Sequence, residues 1–208
     1  MIKNIMFDLD GVLVEAQNWH FVALNNALED VAGIKIGDGE HKSTFNGLPT
    51  HSKLNLLVND KRIRANQIPA IWKLKQHHTM NLIKAHCRPI PQKIDMMHKL
   101  SKYRKACVTN SIAKTAYEML VHSGLNYYLD YIQSNEATKF PKPSPAPYLL
   151  AMANMNITPN ETLIIEDSEK GLTSAYLSGA AAANLQYNDV CFDRISEVIS
   201  KIDQRNSE

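Results

Sequence analysis

Two aspartates one residue apart, Asp8 and Asp10 in IMFDLDGVLV (residues 5–14), stand where an apolar run breaks on Gly11. In an extended segment, side chains two apart share a face, so both carboxylates can enter one site. Alone, an acid pair before a glycine is also an ordinary turn signal, and the motif needs partners. A second acidic pair, Glu166 and Asp167, follows the apolar LII of 163–165, with Ser168 placed to cap the next helix. Two such pairs at the end of two strands repel one another, and a divalent cation is the simplest remedy. An all-oxygen set suits Mg2+, which keeps waters and a phosphate oxygen in its shell. VTNS at 108–111 ends a further apolar run ahead of a helix, so Thr109 and the backbone amides of Asn110 and Ser111 can hold phosphate oxygens, although by itself the stretch reads as an N-cap. Lys142, set between Pro141 and Pro143 in KFPKPSPAPYLLA (139–151), can bring a point charge to a phosphate.

These residues need a sheet to carry them. The apolar runs IMF (5–7), ACV (106–108), YI (131–132), LII (163–165) and, weakly, AAANL (181–185) read as short buried strands. Helical segments are expected at 113–123, 146–154 and 168–178, and this alternation predicts an α/β fold with a parallel sheet and right-handed crossovers. Open α/β sheets put ligands at the carboxyl ends of their strands, where all the residues above are expected. Residues 17–86 differ: Phe21, Leu24, Ala27 and Leu28, then Leu54, Leu57 and Val58, then Ile71, Leu74, Met80 and Ile83 recur at helical spacing. The expected organisation is a catalytic core of 1–14 and 88–208 with an inserted α-helical cap of 15–87. GIKIGDGEHKS (33–43) does not match a phosphate-loop spacing and reads as a turn.

In this order and at these places, FDLDGVLV, Thr109, Lys142 and IIEDSEKGLTSAYLSGA resemble the haloacid dehalogenase superfamily of phosphohydrolases over nearly the whole chain. The helical insertion is similar to the cap of the subgroup that includes β-phosphoglucomutase and many small-molecule phosphatases. The resemblance implies a Rossmann-like core and a Mg2+-dependent phosphatase acting on a small phosphorylated metabolite. It implies Asp8 as nucleophile and Asp10 as general acid and base. Thr109, Asn110, Ser111 and Lys142 would hold phosphate, with the metal on Asp8, the backbone carbonyl of Asp10, Glu166 and Asp167. His20 sits where the mutases carry a cap histidine, and a local hydrogen bond is the alternative role. Asn46 and Thr50 stand where the mutases place a lysine and an arginine, which favours water over a sugar hydroxyl as acceptor. A sugar phosphate is the preferred substrate. A sugar-phosphate mutase is the alternative, and a non-catalytic binding protein on this fold is the other class.

The 208 residues, 44% hydrophobic, can bury a sizeable core, and a formal net charge of +2 shows no excess of one sign. The basic clusters KRIR (61–64) and KYRK (102–105) lack interleaved aromatics, so no nucleic-acid partner is expected. The apolar stretches are too short for a membrane span. Cys87, Cys107 and Cys191 form no CxxC, and the first residues do not resemble a leader peptide, so a reduced cytoplasmic monomer without disulfides or zinc is expected. His77 and His78 are adjacent on one helix and make a poor chelate, and no GxSxG elbow occurs.

Overall fold

The computed structural model describes residues 1–205. Contacts divide the chain into two units, Met1–Glu15 with Arg88–Glu208, and Ala16–Cys87. Strand β1 (Asn4–Phe7) opens the first unit. The second unit follows, with helices α1 (Gln17–Ala32), α2 (Asp38–Glu40), α3 (Thr50–Asn59) and α4 (Ile68–His86). The chain then returns to the first unit through α5 (Pro91–Lys99), β2 (Arg104–Val108), α6 (Ala113–Ser123), β3 (Tyr131–Gln133), α7 (Ala146–Met155), β4 (Thr162–Glu166), α8 (Glu169–Leu177), β5 (Ala181–Asn184) and α9 (Phe192–Arg205).

The five strands form one parallel sheet in the order β3-β2-β1-β4-β5, as the alternation of strand and helix predicts. β1 is central and wholly buried: Met6 aligns with Ala106 of β2 and with Ile164 of β4. Strands covered on both faces read as continuous apolar runs, which is why IMF, ACV and LII carry no polar alternation. Met6, Ala106, Val108 and Ile164 pack with Tyr148, Ala151 and Met152 of α7 and Ala175 of α8. Helix α8 starts where the serine predicted it, since the Ser168 hydroxyl accepts the Gly171 N–H at 3.1 Å.

The second unit has its own core, in which Leu24, Ala27 and Leu28 of α1 meet Leu54 and Leu57 of α3 and Ile71 of α4. The segment read as a turn is more structured than that. After Gly37, α2 runs into a π turn, His41–Phe45, closed by the Asn46 N–H on the His41 carbonyl at 2.8 Å. Burial of His41 and Phe45 against the unit's core favours this turn, a gain that local composition does not display. Among the described residues, no helix is long and apolar enough to cross a membrane.

Candidate active site

The chain leaves β1 toward β2 and β3 on one side and places β4 and β5 on the other, so the strand order reverses beside β1. Such a switch point opens a crevice at the carboxyl ends of the strands. Asp8 follows β1 there, its N–H bonded to the Ile165 carbonyl at 3.0 Å, and Asp167 follows β4. Gly11 takes φ 90°, in the left-handed region that favours glycine, and the tight turn closes with Gly11 N–H on the Val14 carbonyl at 2.8 Å.

Lys142 ties the crevice together. Its ammonium, 3% exposed, donates to Asp8 Oδ1 at 2.7 Å, to Glu166 Oε1 at 2.6 Å and to the Val108 carbonyl at 2.7 Å. An ammonium has three donors, so this geometry uses all of them. The lysine therefore neutralises the carboxylates directly, and its influence on a phosphate would pass through Asp8. The Tyr148 ring lies 4.7 Å from Lys142 Nζ, a cation–π contact, and the Tyr148 hydroxyl donates to the same Glu166 Oε1 at 2.7 Å.

Glu166 is fully buried. Its carboxylate fits because residue 171 has no side chain: a Cβ there would lie 2.0 Å from Glu166 Cδ and Oε2. In an ordinary helix, glycine to alanine gains up to about 1 kcal/mol, so the sign at this position should reverse. Gly171→Ala is expected to destabilise the protein by about 1–3 kcal/mol through overpacking against a side chain pinned by Lys142 and Tyr148. A lowered urea midpoint is the measurement that checks it.

Thr109 is buried at the end of β2, and its Oγ1 accepts the Ser111 N–H at 3.0 Å. Helix α6 spans Ala113–Ser123, the range the sequence predicts, so the amides of 110 and 111 lie just ahead of its first turn. The Ser111 hydroxyl donates to Asp10 Oδ2 at 2.8 Å. Asn110 grips the peptide of Lys142: its Oδ1 accepts the Lys142 N–H at 3.1 Å and its Nδ2 donates to the Lys142 carbonyl at 3.3 Å. Asn110 thus positions the lysine loop, a use of the residue that the sequence did not suggest.

Asp8, Glu166 and Asp167 each offer a carboxylate oxygen within 4.8 Å of the others. Burial pushes the Asp8 carboxyl well above its usual range; Lys142 opposes this, while Glu166, Asp167 and Asp10 add to it. Asp167 is raised to about 7, by burial first and then by the charges of Glu166 and Asp10. Burial pulls the Lys142 ammonium down, but Asp8 and Glu166 outweigh it and hold the group protonated. A divalent cation held by oxygen ligands would relieve this crowding of carboxylates, so the donor set fits Mg2+.

Residues 5–185 match the sequence profile of the haloacid dehalogenase-like hydrolases. The chain belongs to the haloacid dehalogenase-like hydrolase family. It is 25% identical over 181 residues to a phosphorylated carbohydrates phosphatase of Thermotoga maritima, covering 86% of this chain and 82% of that protein. To a fructose-1-phosphate phosphatase of Escherichia coli it is 24% identical over 185 residues, 88% of this chain and 96% of the other. Its fold matches a β-phosphoglucomutase of Clostridium difficile with a TM-score of 0.84 and 19% identity, over the full length of both chains.

In this hydrolase the second unit carries the remaining candidate, His20, on α1, with its Nδ1 3.2 Å from the Lys75 ammonium. Asn46 and Thr50 carry no charge, but the unit has buried cations that the sequence reading missed. Lys53 and Lys75 are buried, on α3 and α4. A signal was available: Lys75 falls in the i, i+4 series Ile71, Lys75, Thr79, Ile83, which is the buried stripe of α4. His78 pairs with Asp30 at 3.4 Å, in keeping with its reading as a non-chelating surface residue.

Proposed function

We propose that this phosphoric monoester hydrolase acts on a sugar phosphate in the cytoplasm, through an aspartyl-phosphate on Asp8 and with Mg2+. The observation that carries the reading is the buried arrangement in which Asp8 and Glu166 share one lysine beside Asp167. Sugar-phosphate specificity is supported by the two phosphatases to which the chain is similar over most of its length.

One oxygen of Asp8 is held by Lys142, so the carboxylate enters the reaction in a set orientation. It attacks phosphorus as the ester P–O bond breaks, and Asp10 gives its proton to the departing oxygen. Water then attacks the phosphorus of the aspartyl-phosphate, Asp10 takes up a water proton, and the Asp8–phosphorus bond breaks to release phosphate. The Ser111 hydroxyl holds Asp10 in place. Asp8, Asp167, Glu166 and the carbonyl of Asp10 would hold the Mg2+, which supplies positive charge for the phosphoryl oxygens.

The raised Asp167 predicts how stability follows pH. Its folded value of about 7 lies above the ordinary 3.8, so between these values the folded state keeps a proton that the unfolded state gives up. This stabilising contribution is complete below about pH 4 and is lost as pH rises through about 7. Cation binding requires the ionised form, so the rise in Tm on adding Mg2+ is expected to be larger at pH 8 than at pH 5. Thermal unfolding in EDTA and in Mg2+ across this range tests it, and a Mg2+ effect that shrinks with rising pH contradicts it.

A mutase is the second reading, favoured by the buried lysines of the second unit, which offer positive charge for a second phosphate. Phosphorus NMR of β-glucose 1-phosphate, with and without a sugar bisphosphate, separates the two. Inorganic phosphate as the main product supports the hydrolase; glucose 6-phosphate with little free phosphate replaces it by the mutase. If this ester is not turned over, phosphate release across a panel of phosphorylated sugars decides whether the substrate class stands.

A further inference from the structure

Tyr148 is fully buried on α7, in the cluster that holds Met6, Ala106, Val108 and Met152. A phenylalanine would fill that place without burying a hydroxyl, which is costly unless it is bonded. The hydroxyl donates to Glu166 Oε1 at 2.7 Å, and the Lys142 ammonium donates to the same atom at 2.6 Å. Both lone pairs of one carboxylate oxygen are thereby used. The other oxygen, Oε2, has the Ser168 hydroxyl at 3.4 Å and stands 2.0 Å from where a Cβ of residue 171 would be, so the carboxylate is confined on that side as well.

The phenol is held as firmly as its partner. One residue earlier, the Pro147 carbonyl accepts from the buried Gln133 Nε2 of β3, and the Ser144 carbonyl accepts from the Ser174 hydroxyl of α8 at 2.6 Å. The start of α7 is therefore tied to the sheet and to α8, and the phenol cannot follow a carboxylate that moves. Its ring lies 4.7 Å from Lys142 Nζ, whose three donors go to Asp8, Glu166 and the Val108 carbonyl. Two carboxylates thus compete for one ammonium. A second donor on Glu166 spreads that carboxylate's charge and weakens its pull on the lysine.

We propose that Tyr148 is a positioning residue of this hydrolase: its hydroxyl holds Glu166 so that Lys142 stays shared with Asp8, and Asp8 keeps the orientation in which it meets phosphorus. This role rests on the one proposed for Asp8, and Tyr148 acts through the other side chains, without touching substrate or cation. A residue that only filled the core would change stability alone. Loss of the hydroxyl leaves ring and volume in place, and it lets Glu166 draw the ammonium away from Asp8.

The test compares Tyr148→Phe with Met152→Ala, a loosening of the same apolar cluster. With p-nitrophenyl phosphate and saturating Mg2+, Tyr148→Phe is expected to lower kcat about tenfold and to leave KM within about twofold, as loss of one orienting hydrogen bond would. Met152→Ala should unfold at lower urea yet keep kcat within about threefold. In the full-length protein with Mg2+, Tyr148→Phe should also move the NMR signals of the Lys142 ammonium nitrogen and the Asp8 carboxyl carbon, although the hydroxyl bonds to Glu166 and to neither of these. Turnover retained in Asp8→Asn would strike the nucleophile and not this contact, which the two signals then decide. A kcat of Tyr148→Phe within about twofold of the parent, an equal loss in Met152→Ala, or an unmoved Asp8 carboxyl signal would overturn the assignment.

Discussion

Asp8→Asn is expected to lower phosphate release by at least about four orders of magnitude while the protein stays folded. The substitution keeps the volume of a side chain that is 8% exposed, so it neither opens a cavity nor forces neighbours apart. The amide oxygen can still accept from Lys142, and burial already disfavours the charge that is removed. What disappears is the proposed nucleophile. Far-UV circular dichroism and a urea melt report the fold, and a phosphate assay with mass spectrometry of the trapped phosphoenzyme reports the chemistry. A phosphoryl group found on another residue, or turnover within tenfold of the parent protein, would remove Asp8 from the role.

Lys142→Met should fail on both counts. Removing one member of a buried ionic group leaves the others uncompensated, which typically destabilises by about 3–5 kcal/mol. Here Asp8 and Glu166 lose their shared cation together, and Tyr148 loses the charge over its ring. For a chain of this length, that is a fall in Tm of roughly 10 °C. Activity should drop about a thousandfold or more, because Asp8, already pushed upward by burial, loses the group that opposes the shift and is less readily ionised. The sign follows: residual turnover of the variant should climb with pH beyond the point where that of the parent levels off. A variant as stable as the parent, with an unshifted pH profile, would show that the ammonium holds neither the fold nor the state of Asp8.

The strands were legible in the sequence because a strand covered on both faces leaves a bare apolar run, and three of the five runs, IMF, ACV and LII, are of that kind. β5 was weaker: AAAN is only partly buried and has little side chain to display a pattern. The acids at the ends of β1 and β4 were legible for the same reason, since a charged pair that stops an apolar run marks a strand's exit. The support around them was not. Tyr148 and Gly171 matter through a carboxylate that neither adjoins in sequence, and Asn110 acts on the backbone of Lys142 across 32 positions. Such contacts arise only when the crossovers bring segments together. The buried lysines of the second unit were hidden differently, since a cation in an apolar stripe reads locally as a lapse in the pattern.

The position of β1 governs when this hydrolase can become active. The central strand precedes both of its neighbours by a long stretch of chain: Asn4 pairs with Arg104 on one side and with Thr162 on the other. Until β4 is available, Asp8 has neither the Ile165 carbonyl to hold its N–H nor Glu166 to share its lysine. Pairings so distant in sequence give a high contact order and slow folding. During synthesis the nascent chain must therefore keep this apolar strand from straying while residues 8–161 are made. A chain that stops before β4 therefore lacks both of these contacts to Asp8 and its lysine.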